Sequence, residues 1–355
     1  MKLIEKTLKP ALEFFKEIEN LKKGLIICGH DLDTICSTVI LLDLLKKLKK
    51  DVKFYVSKFN FKVSKDCINH IKKTKPQFVL IPDVSTIEVE DLNELIKFSK
   101  VLIIDHHEVK EYYKKVFYSN PRIFDKDIYI PVSYLCYKLY QKFFESEKIA
   151  IIAGIGTLSD RGIECCLDLY KKLKKLKWIE SLETIYTSKL FLAIKILAYF
   201  LIESKNFKFC VKFLLRNKNL EIIFKHPKIL PSFEKIKKEV KRLLEEFERK
   251  KVEIGEFKIF KIESKYRLAS LIANLLAKKE KGAVIVYQKE GKYWKASLRK
   301  NESKIDLNEF VKLIAKRIRA EGGGHPVAAA ISKIRSEKEF LNEVKKLVEH
   351  RNPTL

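Results

Sequence analysis

Long apolar runs are missing from this chain. None approaches the roughly 18 residues that a membrane-spanning helix needs, so no transmembrane segment and no membrane partner are expected. The N-terminus, Met1-Lys2-Leu3-Ile4-Glu5-Lys6, alternates charge too early for a secretory signal, and a cytoplasmic location is expected. Cysteine-pair motifs are missing as well. The seven cysteines (28, 36, 67, 136, 165, 166 and 210) show no CxxC spacing and lie mostly in apolar segments. They read as reduced, largely buried thiols, which argues against a disulfide scaffold or a zinc ribbon. The adjacent Cys165 and Cys166 read as core filler. Glutamine is nearly absent (Gln77, Gln141, Gln288) while Lys, Ile and Glu abound, a balance that resembles hyperthermophile proteins. Acidic residues are in deficit: 46 against 73 Lys and Arg leave a formal net charge of +27. That excess suits a polyanionic partner, nucleic acid first, with a merely lysine-rich surface as the competing reading.

What is present organises into two α/β regions. The 355 residues suffice for two or three domains. After a Lys-rich helix over 1–22, apolar runs at 24–28, 52–56, 78–82 and 101–104 read as strands, with amphipathic helices over 34–49, 63–74 and 88–98 between them. Such alternation predicts βαβ units and a mainly parallel sheet. Residues 131–230 read as largely helical. A charged helix follows, with a narrow apolar stripe (Ile236, Val240, Leu243, Leu244, Phe247), as expected of a connector. A second, smaller α/β unit reads as strand 256–262, helix 266–278, strands 283–287 and 292–298, helix 306–319, strand 327–332 and helix 336–350. The expected domains are therefore 1–230, a linker helix 231–251, and 252–355.

Histidine is scarce, with seven in the chain, yet two stand side by side in Asp105-His106-His107, directly after the apolar run Val101–Ile104. Their place is the C-terminal end of a strand, where open α/β sheets bind ligands. Carboxylate and imidazole together suit a divalent transition metal, and ordinary loop histidines are the bland alternative. Three other acidic positions shift that balance. The strand 24–28 leads into Gly29-His30-Asp31-Leu32-Asp33-Thr34, where Asp33 could equally be a helix N-cap. Strand 78–82 ends at Asp83. An apolar, glycine-marked segment, Gly154 to Ser159, ends at Asp160. Several carboxylates on one sheet edge repel one another unless cations neutralise them, and oxygen with imidazole favours Mn²⁺ or Mg²⁺ over structural zinc.

These residues, taken in order, resemble the four motifs of the DHH phosphoesterase superfamily: Asp31-Leu32-Asp33, Asp83, Asp105-His106-His107 and Asp160. That superfamily includes RecJ exonucleases, oligoribonucleases, cyclic-dinucleotide phosphodiesterases and manganese pyrophosphatases. Gly322-Gly323-Gly324-His325 is similar to the glycine signature of the DHH-associated domain, and only eleven glycines exist in the chain. A glycine backbone can approach phosphate closely and point N–H groups at it, whereas a plain turn before the last strand is the alternative. Trp294-Lys295-Ala296-Ser297-Leu298-Arg299 resembles that domain's nucleotide-facing strand, which makes Ser297 and Arg299 candidate substrate contacts. Two positions depart from the pattern. Gly29 stands where relatives usually carry a histidine, with His30 adjacent instead, and Thr34 replaces the usual glycine, which would crowd the strand-to-helix turn.

The resemblance implies an archaeal-type RecJ-like fold and a two-ion Mn²⁺ site, with Mg²⁺ as the alternative ion. It implies that Asp83 bridges the ions, that Asp31 with His30 completes one, and that Asp33, His106 and Asp160 complete the other. Asp105 would orient His106 or a metal-bound water, and His107 would hydrogen-bond the scissile phosphate. Asn120-Pro121 and Pro131-Val132-Ser133-Tyr134 would be structural. Three functions remain open at this point. The first is an exonuclease on single-stranded DNA or RNA. The second is hydrolysis of short oligonucleotides or cyclic dinucleotides. The third is a non-catalytic subunit of the replicative helicase complex, binding GINS.

Overall fold

In the computed structural model, the described residues are 2–58, 63, 65–84, 87–109, 113 and 115–349. Residues 64 and 350, inside the expected helices 63–74 and 336–350, lie outside them. The chain divides into two compact units, Met1–Phe233 and Glu234–Leu355.

The first unit is built on five parallel strands: β1 (Lys23–Cys28), β2 (Asp51–Val56), β3 (Phe78–Pro82), β4 (Lys100–Ile104) and β5 (Phe117–Ser119). Their order is β2-β1-β3-β4-β5. Continuous apolar runs at β1, β3 and β4 follow from burial on both faces, as a parallel sheet with helices on each side requires. Residues of one parity (Leu25, Ile27, Val79, Ile81, Val101, Ile103) pack with residues of helices α3 (Lys65–Thr74) and α4 (Val89–Leu95). The other face meets α1 (Lys2–Glu17), α2 (Leu32–Lys47) and α5 (Val132–Tyr140). Helix α2 is apolar nearly all round because it lies in the interior, against α5, α6 (Glu147–Ser159) and α9 (Phe207–Arg216). Helices α7 (Leu167–Lys175) and α8 (Lys189–Ser204) complete the helical span. The three-residue β5 is too short to be legible as a strand in the sequence.

Helix α10 (Leu230–Lys250) contains the boundary between the units, so the expected linker is not a unit of its own. Within the second unit, the sheet order is β10-β11-β9-β8-β7-β6. Its strands are β6 (Val252–Ile254), β7 (Phe257–Lys261), β8 (Gly282–Glu290), β9 (Tyr293–Asn301), β10 (Glu321–His325) and β11 (Ala328–Ile334). Only the β7–β8 pair is parallel. Helix α11 (Ala269–Leu276) packs on β8 and β9. Helices α12 (Leu307–Arg317) and α13 (Glu337–Glu349) join the cluster of Phe257, Ile285, Leu298 and Ile331 on the core face. Of the two adjacent cysteines expected as core filler, Cys166 is buried but Cys165 is exposed. No helix among the described residues is long and apolar enough to cross a membrane.

Candidate metal centre at the strand ends

The order 2-1-3-4-5 places a topological switch point between β1 and β3, the crevice where such sheets bind ligands. The chain turns there with Asp31 after β1, Asp83 after β3 and Asp105-His106-His107 after β4. Because β1, β3 and β4 are neighbours, residues far apart in sequence arrive side by side. Asp83 adopts a left-handed backbone (φ 59°), an uncommon conformation for a residue other than glycine, and such strain clusters at functional sites. Its N–H donates to Ile104 O at 2.8 Å, which ties the turn to the neighbouring strand.

Asp83, His106 and His107 each offer a ligand atom within 4.8 Å of the others. Among the described residues, Asp83 Oδ1 and His106 Nδ1 are buried without a hydrogen-bond partner, a costly state that a bound cation would relieve. Burial, then the neighbouring His107, pushes His106 down to about 4, so its imidazole is neutral and its lone pair available. Asp83 goes the opposite way: burial first, then the charges of Asp31 and Asp33, raise it well above the usual carboxylate range. These are the properties of a donor set that fits a divalent ion.

The other expected ligands surround this group. Asp31 caps α2, accepting from Thr34 N at 2.8 Å. Thr34 Oγ1 lies 2.8 Å from Asp31 Oδ1 and 2.6 Å from Asp83 Oδ2. One hydroxyl hydrogen cannot serve both, so the pair needs a proton or a cation besides. Thr34 therefore does not crowd the turn, as its replacement of glycine suggested; it lies within the helix and links two carboxylates. Asp33 is not the N-cap of its own helix. It reaches across to α5, accepting from Val132 N at 2.8 Å and Ser133 N at 3.0 Å. Burial, offset in part by Ser133, pushes its carboxyl up to about 6.

Asp160 occupies the C-cap of α6, where the helix dipole disfavours a carboxylate. Burial and the Asp33 charge push it up to about 8. Its Oδ2 lies 3.7 Å from His106 Nδ1 and accepts from Tyr129 Oη at 2.6 Å. Tyr129 was not legible as a site residue, because one aromatic in a loop carries no local pattern.

Two expectations change. Asp105 was assigned to His106 or a metal-bound water, but its Oδ1 accepts from His107 Nδ1 at 2.7 Å. Tyr118 and Asn120 stand behind that pair, Tyr118 donating to Asp105 and Asn120 to His107 O. His30, expected as a metal ligand, donates Nε2 to Ser57 O at 2.6 Å and stacks on Phe207 at 4.2 Å, and it is not part of the Asp83, His106 and His107 group.

The second unit treats its candidates differently. Gly322-Gly323-Gly324 does not form a loop but the edge strand β10, paired with β11. A Cβ at Gly322 would lie 2.7 Å from Val311 Cγ1, and Gly324 takes φ 153°, so two of the glycines answer to packing and backbone shape. Gly323 faces open space. His325 is exposed at the hairpin. Ser297 is buried on the β9 face under α11 and is not presented as a surface contact. Arg299 donates Nε to Asn274 Oδ1 at 2.7 Å, Nη2 to Ser270 Oγ at 3.1 Å and Nη1 to Leu298 O at 2.8 Å. It joins β9 to α11 rather than standing out as a bare phosphate fork.

The model for the DHH family, N-terminal domain, matches residues 24–157, and that for the DHHA1 domain matches residues 258–350. No sequence among the curated proteins matches. The chain is similar to a DHH-domain structure described as a member of the s1p family of ribosomal proteins (16% identity, TM-score 0.76, covering 98% of this chain and 91% of that one). It is also similar to exonuclease RecJ bound to manganese (16% identity, TM-score 0.69, covering 98% and 95%). A further similar structure is CDC45 from Entamoeba histolytica (10% identity, TM-score 0.58, covering 95% and 98%). The chain belongs to the DHH family, joining a DHH N-terminal domain to a DHHA1 domain on a RecJ-like fold.

Proposed function

We propose that the chain is a divalent-metal-dependent phosphodiesterase that hydrolyses single-stranded DNA or RNA as a RecJ-like exonuclease. The observation that carries this reading is the pair of buried ligand atoms, Asp83 Oδ1 and His106 Nδ1, that lack a hydrogen-bond partner among the described residues at the switch point of the sheet. Asp83, His106 and Asp160, with Asp31 and Asp33 beside them, would hold two Mn²⁺ ions, or Mg²⁺ in their place. Manganese in a RecJ of like fold supports that choice. Bound there, the metal supplies an activated water and neutralises charge developing on the phosphate. The chain's own residues do the rest. Asp105 fixes the His107 ring through Nδ1, and in the imidazolium form Nε2–H would donate to a phosphate oxygen. The +27 charge supplies the phosphate contacts that a polymer needs. Backbone groups of the edge strand at Gly322–Gly324, with His325, would contact the nucleic acid's phosphates, and Arg299 would do so by exchanging a hydrogen bond to α11 for one to phosphate.

A second reading rests on a separate observation. His30 is bound to Ser57 O, Gly29 replaces the family's histidine, and Thr34 bridges two ligand carboxylates. These features favour a non-catalytic or weakly active subunit of the replicative helicase complex that binds GINS. One assay separates the readings: labelled single-stranded DNA and RNA with Mn²⁺, beside a His106→Ala control. Mononucleotides released from long strands by the native chain alone support the exonuclease. Cleavage confined to very short substrates favours an oligoribonuclease or cyclic-dinucleotide phosphodiesterase. Absence of both hydrolysis and Mn²⁺ binding leaves the non-catalytic subunit.

A further inference from the structure

Tyr129 belongs to none of the four motifs, yet it touches two of the residues they contribute. Its Oη donates to Asp160 Oδ2 at 2.6 Å, and its ring lies 4.9 Å from that of His106. His106 is 5% exposed and Tyr129 42%, so the tyrosine is the solvent-facing member of the pair. Resting on the metal-dependent reading above, we propose that Tyr129 is a positioning residue of the metal centre, its hydroxyl holding the Asp160 carboxylate in place for the ion.

The physical case begins with the position of Asp160. A carboxylate at a helix C-cap faces the negative end of the dipole and is repelled from it. It also faces the charge of Asp33 across the site. A donor from outside the helix is needed to keep it there. A lysine would hold it but would compete with the ion as a cation. A phenol holds the carboxylate without neutralising it, and one hydrogen bond leaves most of the carboxylate's lone pairs for a metal. The loop that carries Tyr129 is also anchored, because Val132 and Ser133, a few residues on, donate their N–H groups to Asp33. A donor anchored by one site carboxylate thus orients another, the arrangement by which outer groups tune a metal site.

The test is Mn²⁺ affinity, read by electron paramagnetic resonance of the free ion, for the full-length native chain, Tyr129→Phe, Asp160→Asn and the double variant. Phe keeps the ring against His106 and removes only the hydroxyl. Tyr129→Phe is expected to weaken Mn²⁺ binding about tenfold, the effect of removing a hydrogen bond behind a ligand. The thermal midpoint of the metal-free chain should stay near the native value. In the Asp160→Asn background the same change should add nothing, since the hydroxyl acts through that carboxylate. Native Mn²⁺ affinity in Tyr129→Phe, with or without a lower midpoint, overturns the proposal. So does an undiminished loss in the Asp160→Asn background. A native chain that binds no Mn²⁺ at all overturns the metal-dependent reading itself, and the positioning role with it.

Discussion

In the first unit, Asp83 and His106 are buried with ligand atoms that have no hydrogen-bond partner among the described residues, and the carboxylates around them crowd one another. In the second unit, Arg299 is hydrogen-bonded to Asn274 and Ser270, Ser297 is covered by α11, and Gly322 closes on Val311. Both regions carry motifs of equal clarity in the sequence. The difference is in completeness: one region is satisfied by the fold, and the other requires something that the chain does not contain. Buried polar groups left without partners are rare in folded proteins, so their presence is the stronger sign of a ligand site.

The comparison can be broken by experiment, and the largest effect is expected at Asp83. Asp83→Asn should reduce Mn²⁺ affinity by more than about 100-fold, beyond the loss typical of groups behind a ligand. The same change should raise the metal-free chain's thermal midpoint, because it removes one of several repelling carboxylates. A midpoint that falls would show that Asp83 is structural. Next comes Asp105→Asn, which removes the acceptor that orients His107. Turnover of an oligonucleotide should fall by about 10² to 10⁴, as when a histidine loses its orienting carboxylate elsewhere. Mn²⁺ affinity should change far less, and equal losses in both would place Asp105 among the ligands instead.

In the second unit, Arg299→Ala should lower stability by about 1–3 kcal/mol through broken hydrogen bonds, read by chemical denaturation. It should weaken oligonucleotide binding and leave Mn²⁺ binding intact. Ser297→Ala should leave oligonucleotide affinity unchanged, since the side chain is 2% exposed; a loss there would mean that α11 moves aside for substrate.

A separate check on the first unit is the pH dependence of the metal-free chain. Asp33 is raised to about 6 and Asp160 to about 8 from an ordinary 3.8, so the folded state holds these protons more tightly than the unfolded one. Their contribution to stability is complete below about pH 4 and is lost as pH rises through 6 and then 8. His106, lowered to about 4 from an ordinary 6.5, adds stability as pH rises through that interval and offsets part of the loss, so the thermal midpoint should decline mainly between about pH 6.5 and 8, and saturating Mn²⁺ should flatten the decline. A metal-free midpoint that rises between about pH 6.5 and 8 would contradict the crowding of carboxylates.

Much of the first unit was legible because continuous apolar runs followed by Asp can hardly be anything but buried strands with polar ends. Strands at 24–28, 78–82 and 101–104 and the helices between them are found within a few residues of their expected places. Strands β5, β6 and β10 were not legible, two because they hold three residues and one because glycine carries no strand preference. The partner of Asp105 could not be read either, since adjacency in sequence does not say which of His106 and His107 its carboxylate will meet.

Hydrophobic patterning and motif spacing are local properties, and they are enough to say which residue types stand at which strand ends. Only the tertiary structure decided that His30 turns to Ser57, that Asp33 crosses to α5, that Arg299 is held by α11 and that Tyr129 reaches Asp160. Those choices depend on which elements become neighbours, and burial and hydrogen-bond competition among residues distant in sequence settle them.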